Sequence, residues 1–284
     1  MADQHGARTT GTILDRIVAD RRVRLAEDRA ARDEAALHAM IEARSAPLAF
    51  SDRLRQGRPS VAPARLRLIA EIKRASPSKG VFDADLDAVA QARQYAEAGA
   101  AAISILTEPD HFKGGIADLA EVSAAFASDA DRPALLRKDF IFDAYQVLEA
   151  RAFGADALLL IVMLLEPDAL RDLLAQTRAL GMEALVEVHD QDELSAAVEA
   201  GATVIGVNNR DLRTFQEDLG LFERLAPLAP SGVTLVAESA IRAPGDARRM
   251  AEAGAHALLV GEALVRSGTV VETARSFMLT AEPA

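Results

Sequence analysis

From residue 67 onward, short apolar runs alternate with longer segments that are apolar on one side only. A repeated phrase marks many of the junctions: Gly99-Ala-Ala-Ala-Ile103, Gly154-Ala-Asp-Ala-Leu158, Gly181-Met-Glu-Ala-Leu185, Gly201-Ala-Thr-Val-Ile205 and Gly254-Ala-His-Ala-Leu258. Each follows an Ala-rich amphipathic segment and opens an apolar run. The physical reading is a helix stopped by a left-handed Gly and followed at once by a buried strand. Helices alternating with apolar strands imply right-handed βαβ units and a parallel sheet. Eight strands are predicted: Leu68–Lys73, Ala102–Leu106, Ala134–Lys138, Ala157–Val162, Ala184–Val188, Thr203–Asn208, Val233–Glu238 and Ala257–Val260. A helix is expected after each, the last over Ala263 to Phe277. Eight βα units at roughly 25 residues apiece match an α/β fold, the (β/α)8 TIM barrel. An open doubly wound sheet is the alternative, but no GxGxxG follows the first strand.

Residues 1–66 are read as an N-terminal helical extension capping the barrel, with residues 67–284 as the catalytic barrel. A helical pattern covers Thr12 to Ala43, with Ile13, Leu14, Ile17, Val18 and Leu25 on its apolar side. Pro47, Pro59 and Pro63 punctuate the chain between this pattern and the first strand. Two readings stay open: the helix covers one end of the barrel, or it also shapes the rim of the site. The first ten residues are expected to be disordered.

Composition narrows the function classes. Half of the residues are apolar, enough for a large core, yet there is no Trp and only two Tyr. No Cys is present, which excludes disulfides and thiolate metal sites and fits cytoplasmic residence. The net charge of −11 argues against nucleic acid or an anionic membrane as partner. Met1 to Thr12 lacks the apolar core of a signal peptide, and the longest apolar run, Ala157 to Leu165, is too short to span a bilayer. None of the five His has metal-ligand spacing, so no metal site is expected. A monomer, or at most a weak dimer, is expected to act on a small phosphorylated molecule.

Candidate chemistry lies where charge interrupts the apolar pattern at strand ends. Strand 1 carries Glu71 and Lys73, two apart and so on one face; strand 3 carries Lys138, strand 5 Glu187, and strand 6 Asn208 with Arg210 just beyond. Strand 7 ends in Glu238 and Ser239. Each could singly be a solvated rim residue, and Glu71 with Lys73 could be a structural ion pair. Their coincidence around one ring points instead to a site at the strands' C-terminal ends. Ser239, Ala240, Gly261 and Glu262, after strands 7 and 8, could cradle a phosphate through backbone N–H groups and the Ser hydroxyl. Glu262 suits that place only if its side chain turns outward. Asp139 and Asp143 are read as loop and cap residues.

IAEIKRASPSKG, SILTEPDHFKGG, RKDFIFDAYQV, ALVEVHD, GVNNRDL, VAESAI and LLVGEAL, in this order, resemble the indole-3-glycerol-phosphate synthase family, as does the leading ILDRIVADRR. The resemblance runs from Ile13 to about Ser276. It implies a cofactor-free carbon–carbon lyase of tryptophan biosynthesis. Such an enzyme closes, decarboxylates and dehydrates 1-(2-carboxyphenylamino)-1-deoxyribulose 5-phosphate to indole-3-glycerol phosphate. By this match Lys138 is the expected general acid, with Lys73 lowering its pKa by repulsion. Dehydration needs a protonated hydroxyl and removal of a proton from nitrogen, for which Glu187, and Glu71 with Asn208, are candidates. Glu238 is expected to fix Lys138 or the substrate hydroxyls. Arg210 and Lys73 are expected at the anionic groups, and Ser76 and Pro77 in the loop over the substrate. Phe112 and Phe140 either hold the aromatic ring or belong to the core. Three departures from the family pattern stand out. Ala240 replaces a usual Gly and is expected at negative φ. Ile116 stands where Ser is common, and Asn209 stands where some relatives carry Ser, an exchange expected to be neutral. The competing functions are a phosphosugar isomerase on the same barrel, close to phosphoribosylanthranilate isomerase, and a non-catalytic scaffold.

Overall fold

The computed structural model describes residues 7–278. Eight parallel strands close into a barrel: β1 Arg67–Ile72, β2 Ala102–Leu106, β3 Ala134–Lys138, β4 Ala157–Ile161, β5 Glu183–Val188, β6 Val204–Asn208, β7 Thr234–Glu238 and β8 Ala257–Val260. Each pairs with its neighbour in the chain, and β1 pairs with β8 to complete the ring. All but Glu183 and Lys138 of these residues are buried, as strands covered on both faces require. The Gly of the repeated phrase performs the role read from sequence. Gly99 has φ 99°, and the N–H of Ala100 closes the helix end onto the carbonyl of Tyr95 at 3.0 Å. The outer helices are α4 Ala88–Ala98, α5 Ile116–Ala125, α6 Ala144–Ala152, α7 Pro167–Ala179, α8 Gln191–Glu199, α9 Gly220–Leu225 and α10 Pro244–Glu252. The last expected helix is split into α11 Glu262–Val265 and α12 Val270–Phe277. Between them Ser267 accepts the Thr269 N–H and bonds the Thr273 hydroxyl, side-chain competition that stops a helix.

The extension holds three helices: α1 Ile13–Ala31, α2 Glu34–Glu42 and α3 Phe50–Gln56. The single helical pattern over Thr12 to Ala43 is therefore two helices. Asp33 is extended and caps α2 by accepting the Ala36 N–H, so the chain breaks before it. Leu14, Ile17, Val18 and Leu25 of α1 are buried, each contributing about 1.5–3 kcal/mol. Ile13, Leu14 and Ile17 line the cavity at the C-terminal ends of the strands, so α1 shapes the rim as well as covering it. Helix α3 closes the other end. Its Ser51 N–H donates to Glu183, and its Arg55 donates to the Thr234 hydroxyl, both at strand beginnings. Residues 7–10 are ordered, against expectation. Ala7 bridges Leu165, and Arg8 donates its N–H to the carbonyl of Leu164. Residues 1–6 of the stretch expected to be disordered lie outside the described residues.

An ionic cluster binds α1 to the barrel. Arg137, fully buried on the helix-facing side of β3, donates to Asp139, Glu149, the Thr107 hydroxyl and the Gln146 carbonyl. Arg21 of α1 reaches Asp139 at 3.3 Å and Asp28 at 2.9 Å. Asp139 is thus no plain loop residue. Burial works to raise its pKa, but Arg21 and Arg137 outweigh burial and hold the carboxyl below its usual range. Asp143 caps α6 as read, accepting the Tyr145 N–H at 2.8 Å.

Candidate active site

A cavity of about 370 Å³ opens at the C-terminal ends of the strands. It is lined by all the residues proposed from the sequence for catalysis or substrate binding: Glu71, Lys73, Ser76, Pro77, Phe112, Lys138, Phe140, Glu187, Asn208, Arg210, Glu238, Ser239, Ala240, Gly261 and Glu262. Residues far apart in the chain meet there because Glu71, Lys138, Glu187, Asn208 and Glu238 stand at or next to the ends of their strands and the others lie in the segments that follow.

Lys138 stands among three carboxylates. Its Nζ lies 3.3 Å from Glu187 Oε2 and 3.8 Å from Glu238 Oε2. Burial would lower its pKa, but the charges of Glu187, Glu238 and Glu71 outweigh burial and raise it above the ordinary lysine range. This overturns the expectation of a depressed pKa. Lys73, the supposed source of repulsion, is paired with Glu71 at 2.5 Å, so its positive charge is balanced before it can act on Lys138. Lys138 is therefore a charged ammonium, loaded with the proton an acid must give.

Glu187 is held from several sides. Asn208 Nδ2 donates to its Oε1 at 3.1 Å, and His189 Nε2 lies 3.3 Å from the same oxygen. Burial pushes its pKa up, yet Lys138, His189 and Asn208 together draw it below the usual carboxylate range. Glu238 shows the opposite balance. Burial first, and then the nearby Glu187 charge, push its pKa up despite Lys138. Two glycines make room for these acids. A Cβ on Gly206 would collide with Glu238 Oε1, and one on Gly261 would sit 2.5 Å from Glu71 Oε1.

The turn after β7 departs from expectation. Ser239 and Ala240 are both left-handed, at φ 61° and 62°. The chain must reverse between the buried Glu238 and the buried Ile241, and the surrounding packing holds two L-residues there at a cost of about 1–2 kcal/mol each. Expecting Ala to avoid that region overweighted a local preference. Gly261 also lines the cavity and caps α11, and Glu262 pairs with Arg266 at 3.2 Å on the same cavity wall.

Phe112 and Phe140 form a tilted pair with ring centroids 5.9 Å apart. Glu108, fully buried, fixes the loop bearing Phe112 by accepting the N–H groups of Asp110, His111 and Phe112. Helix α1 fastens the same loop through Asp20 to His111 and Arg24 to Asp110. Ser76 and Pro77 lie in a loop closed by a short antiparallel ladder, Ala75–Ser76 with Gly80–Val81. Phe82 of this loop lies under Lys73 and Arg266, 5.9 and 5.1 Å from its ring centre. Arg210 is on the cavity wall but pairs with Glu217 at 2.5 Å, and Glu217 also binds Arg242. Asn209 is buried. Its amide donates to the Glu238 carbonyl and accepts the Phe222 N–H, tying β6 to β7 and α9. Ile116 opens α5, away from the cavity wall.

Sequence reasoning missed His189, Glu217, Arg242 and Arg266, and left open whether the apolar side of α1 reaches the site. For His189 a signal existed: it stands two residues after Glu187, on the same face at the strand's end. Pairing between loops, as for Glu217, leaves no periodic trace. Among the described residues no group of His, Cys, Asp and Glu could hold a metal ion, and no helix is long and apolar enough to cross a membrane.

A family model described as indole-3-glycerol phosphate synthase matches residues 14–277. An indole-3-glycerol phosphate synthase of Roseiflexus sp. (strain RS-1) is 47% identical over 267 residues, 93% of this chain and 97% of its own length. One from Mycobacteroides abscessus is 46% identical, covering 92% of this chain and 91% of that protein. A multifunctional tryptophan biosynthesis protein of Schizosaccharomyces pombe is 46% identical over 81% of this chain and 29% of its own length. The 3-hexulose-6-phosphate synthase of Salmonella typhimurium has a TM-score of 0.61 at 12% identity, covering 75% of this chain and 96% of that one. That last likeness shows the fold alone.

Proposed function

Because the chain belongs to the indole-3-glycerol phosphate synthase family, lyases that turn 1-(2-carboxyphenylamino)-1-deoxyribulose 5-phosphate into indole-3-glycerol phosphate, we propose how its own residues divide that reaction. The phosphate sits between the turns at Ser239–Ala240 and Gly261–Glu262. The aromatic ring lies against Phe112 and Phe140, under the loop of Ser76 and Pro77. Lys73 and Arg210 face the anionic groups, each already leaning on a carboxylate, Glu71 or Glu217, that substrate must share or displace. Held at both ends, the ribulose chain folds back on the ring. Such orientation supplies up to roughly 7–11 kcal/mol of the barrier.

The ring carbon bearing the carboxylate attacks the ribulose carbonyl carbon, and Lys138 gives its proton to the carbonyl oxygen. CO₂ then leaves, its bonding electrons restoring the aromatic ring. The nitrogen lone pair helps expel the new hydroxyl as water after a second protonation, from Lys138 or Lys73. The proton lost in net terms comes from the methylene carbon beside the nitrogen, which has one hydrogen fewer in the product. Glu187, oriented by Asn208, is the base for it, with Glu71 as the base partnered to Lys73. Glu238 holds Lys138 and the substrate hydroxyls. Since a carboxylate departs as neutral CO₂, each turnover takes up one proton.

The observation that carries this reading is the 3.3 Å approach of Lys138 to Glu187 inside a cavity whose far wall is the double turn. Lys138→Ala should cut kcat by about 10²–10⁴, followed by product fluorescence. Near-normal turnover would remove Lys138 from the acid role. The proposed groups line a single cavity of this chain; we take the working form to be a monomer, which sedimentation can check, and the absence of Cys fits a cytoplasmic setting.

A further inference from the structure

We infer that His189 is a positioning residue: clamped by Glu193 of α8, it holds Glu187 from behind so that one carboxylate oxygen alone is presented to the substrate. The inference rests on Glu187 serving as the base.

The geometry is a relay of two acids through one ring. Glu193 Oε2 accepts the His189 backbone N–H at 2.8 Å and contacts Nδ1 at 3.1 Å, which fixes the ring against the first turn of α8. The other ring nitrogen, Nε2, is buried and makes no well-aligned hydrogen bond, but lies within ion-pair distance of Glu187 Oε1, at 3.3 Å. Asn208 donates to that same oxygen at 3.1 Å. Oε1 thus meets one donor, Asn208, and the charged edge of the His189 ring, and Oε2 is left facing Lys138. A base with one oxygen fixed and the other directed removes a proton from a defined place, and misplacement by about 1 Å can cost 10²-fold in rate.

The ring's charge fits this role. Burial pushes the imidazolium pKa down, but the adjacent carboxylates of Glu187 and Glu193 outweigh burial and raise it to about 10. Both ring nitrogens therefore carry hydrogen at neutral pH, as two acceptors on opposite sides require. On its outer side His189 borders a shallow cavity bearing Asp190, Asp211, Asp218, Arg213 and Arg224, a mixed set with no single sign. Lys138 is the remaining cation near Glu187.

The test uses the full chain. His189→Ala should lower kcat roughly tenfold to hundredfold with KM within about twofold, and move the acid limb of kcat to higher pH as Glu187 loses its cation. His189→Gln should regain much of the turnover, because its amide donates to Oε1, while the acid limb stays displaced. Nitrogen-15 NMR of the wild-type imidazole should show both nitrogens protonated at neutral pH. A neutral ring, or a His189→Ala enzyme with unchanged kcat and acid limb, overturns the inference. Should His189→Ala fail to fold, His189→Gln and the NMR measurement decide. Glu187→Gln separates the layers: if it retains turnover, the base assignment fails by itself, whereas an inactive Glu187→Gln beside a normal His189→Ala sinks only this inference.

Discussion

Ser239 and Ala240 occupy left-handed backbone that L-residues reach at a cost, and the cost falls in the turn assigned to the phosphate. Ala240→Gly should relieve it and, after the greater freedom of Gly in the unfolded chain is counted, raise stability by up to about 1 kcal/mol. A denaturant titration showing a loss would mean that φ is not positive there in solution. Glu238 offers a second test. Its folded pKa lies above the ordinary carboxylate value of 4.5. The native state therefore holds that proton more tightly than the unfolded chain, and stability is lost as pH rises above 4.5. Glu238→Gln removes the ionisation, so its melting temperature should exceed wild type by more in alkaline than in mildly acidic buffer. An equal difference in both would put the charge strain elsewhere. At this scale the sequence disclosed which side chains meet, since Glu71, Lys138, Glu187, Asn208 and Glu238 each break an apolar run. It did not disclose how they balance one another. The charge state of Lys138 depends on three carboxylates from three other strands, a relation that no spacing encodes.

Among the elements, α1 is the one whose role was left open by its pattern. An amphipathic helix must bury one side somewhere, and periodicity does not say where. The answer lies in Arg21, buried on the helix's apolar side and matched to Asp139 and Asp28. Arg21→Ala should cost about 3 kcal/mol, because the buried Asp139 then keeps only part of its compensation. A change below about 0.5 kcal/mol in chemical denaturation, the range of an ordinary surface substitution, would show that α1 is held by apolar contact alone. The strands were legible to within about a residue because both their faces are buried. Helix ends were less so: Asp33 starts a new helix by capping it and Ser267 interrupts one through its hydroxyl, neither of which a hydrophobic pattern registers.

For the whole molecule the eightfold alternation carried the architecture, since a closed parallel sheet needs little more than strands of one length joined by covering helices. Its pH response is less visible from sequence and follows from His189. A group whose folded pKa stands at about 10 against an ordinary 6.5 contributes stability in full below pH 6.5 and loses it as pH rises through 10. The melting temperature should therefore decline across that window, and His189→Gln should flatten the decline; parallel curves would place the lost stability in other groups. The clasp between α1 and the barrel has a last consequence, for the order of assembly. Arg29 of α1 is bonded to Asp143, 114 residues further along. On the ribosome the first helix emerges long before the strand it must grip, and β1 waits longer still for β8. The nascent chain thus carries its first helix without its full set of partners until about half of the chain is made, and a working mouth appears only once the final strand is home.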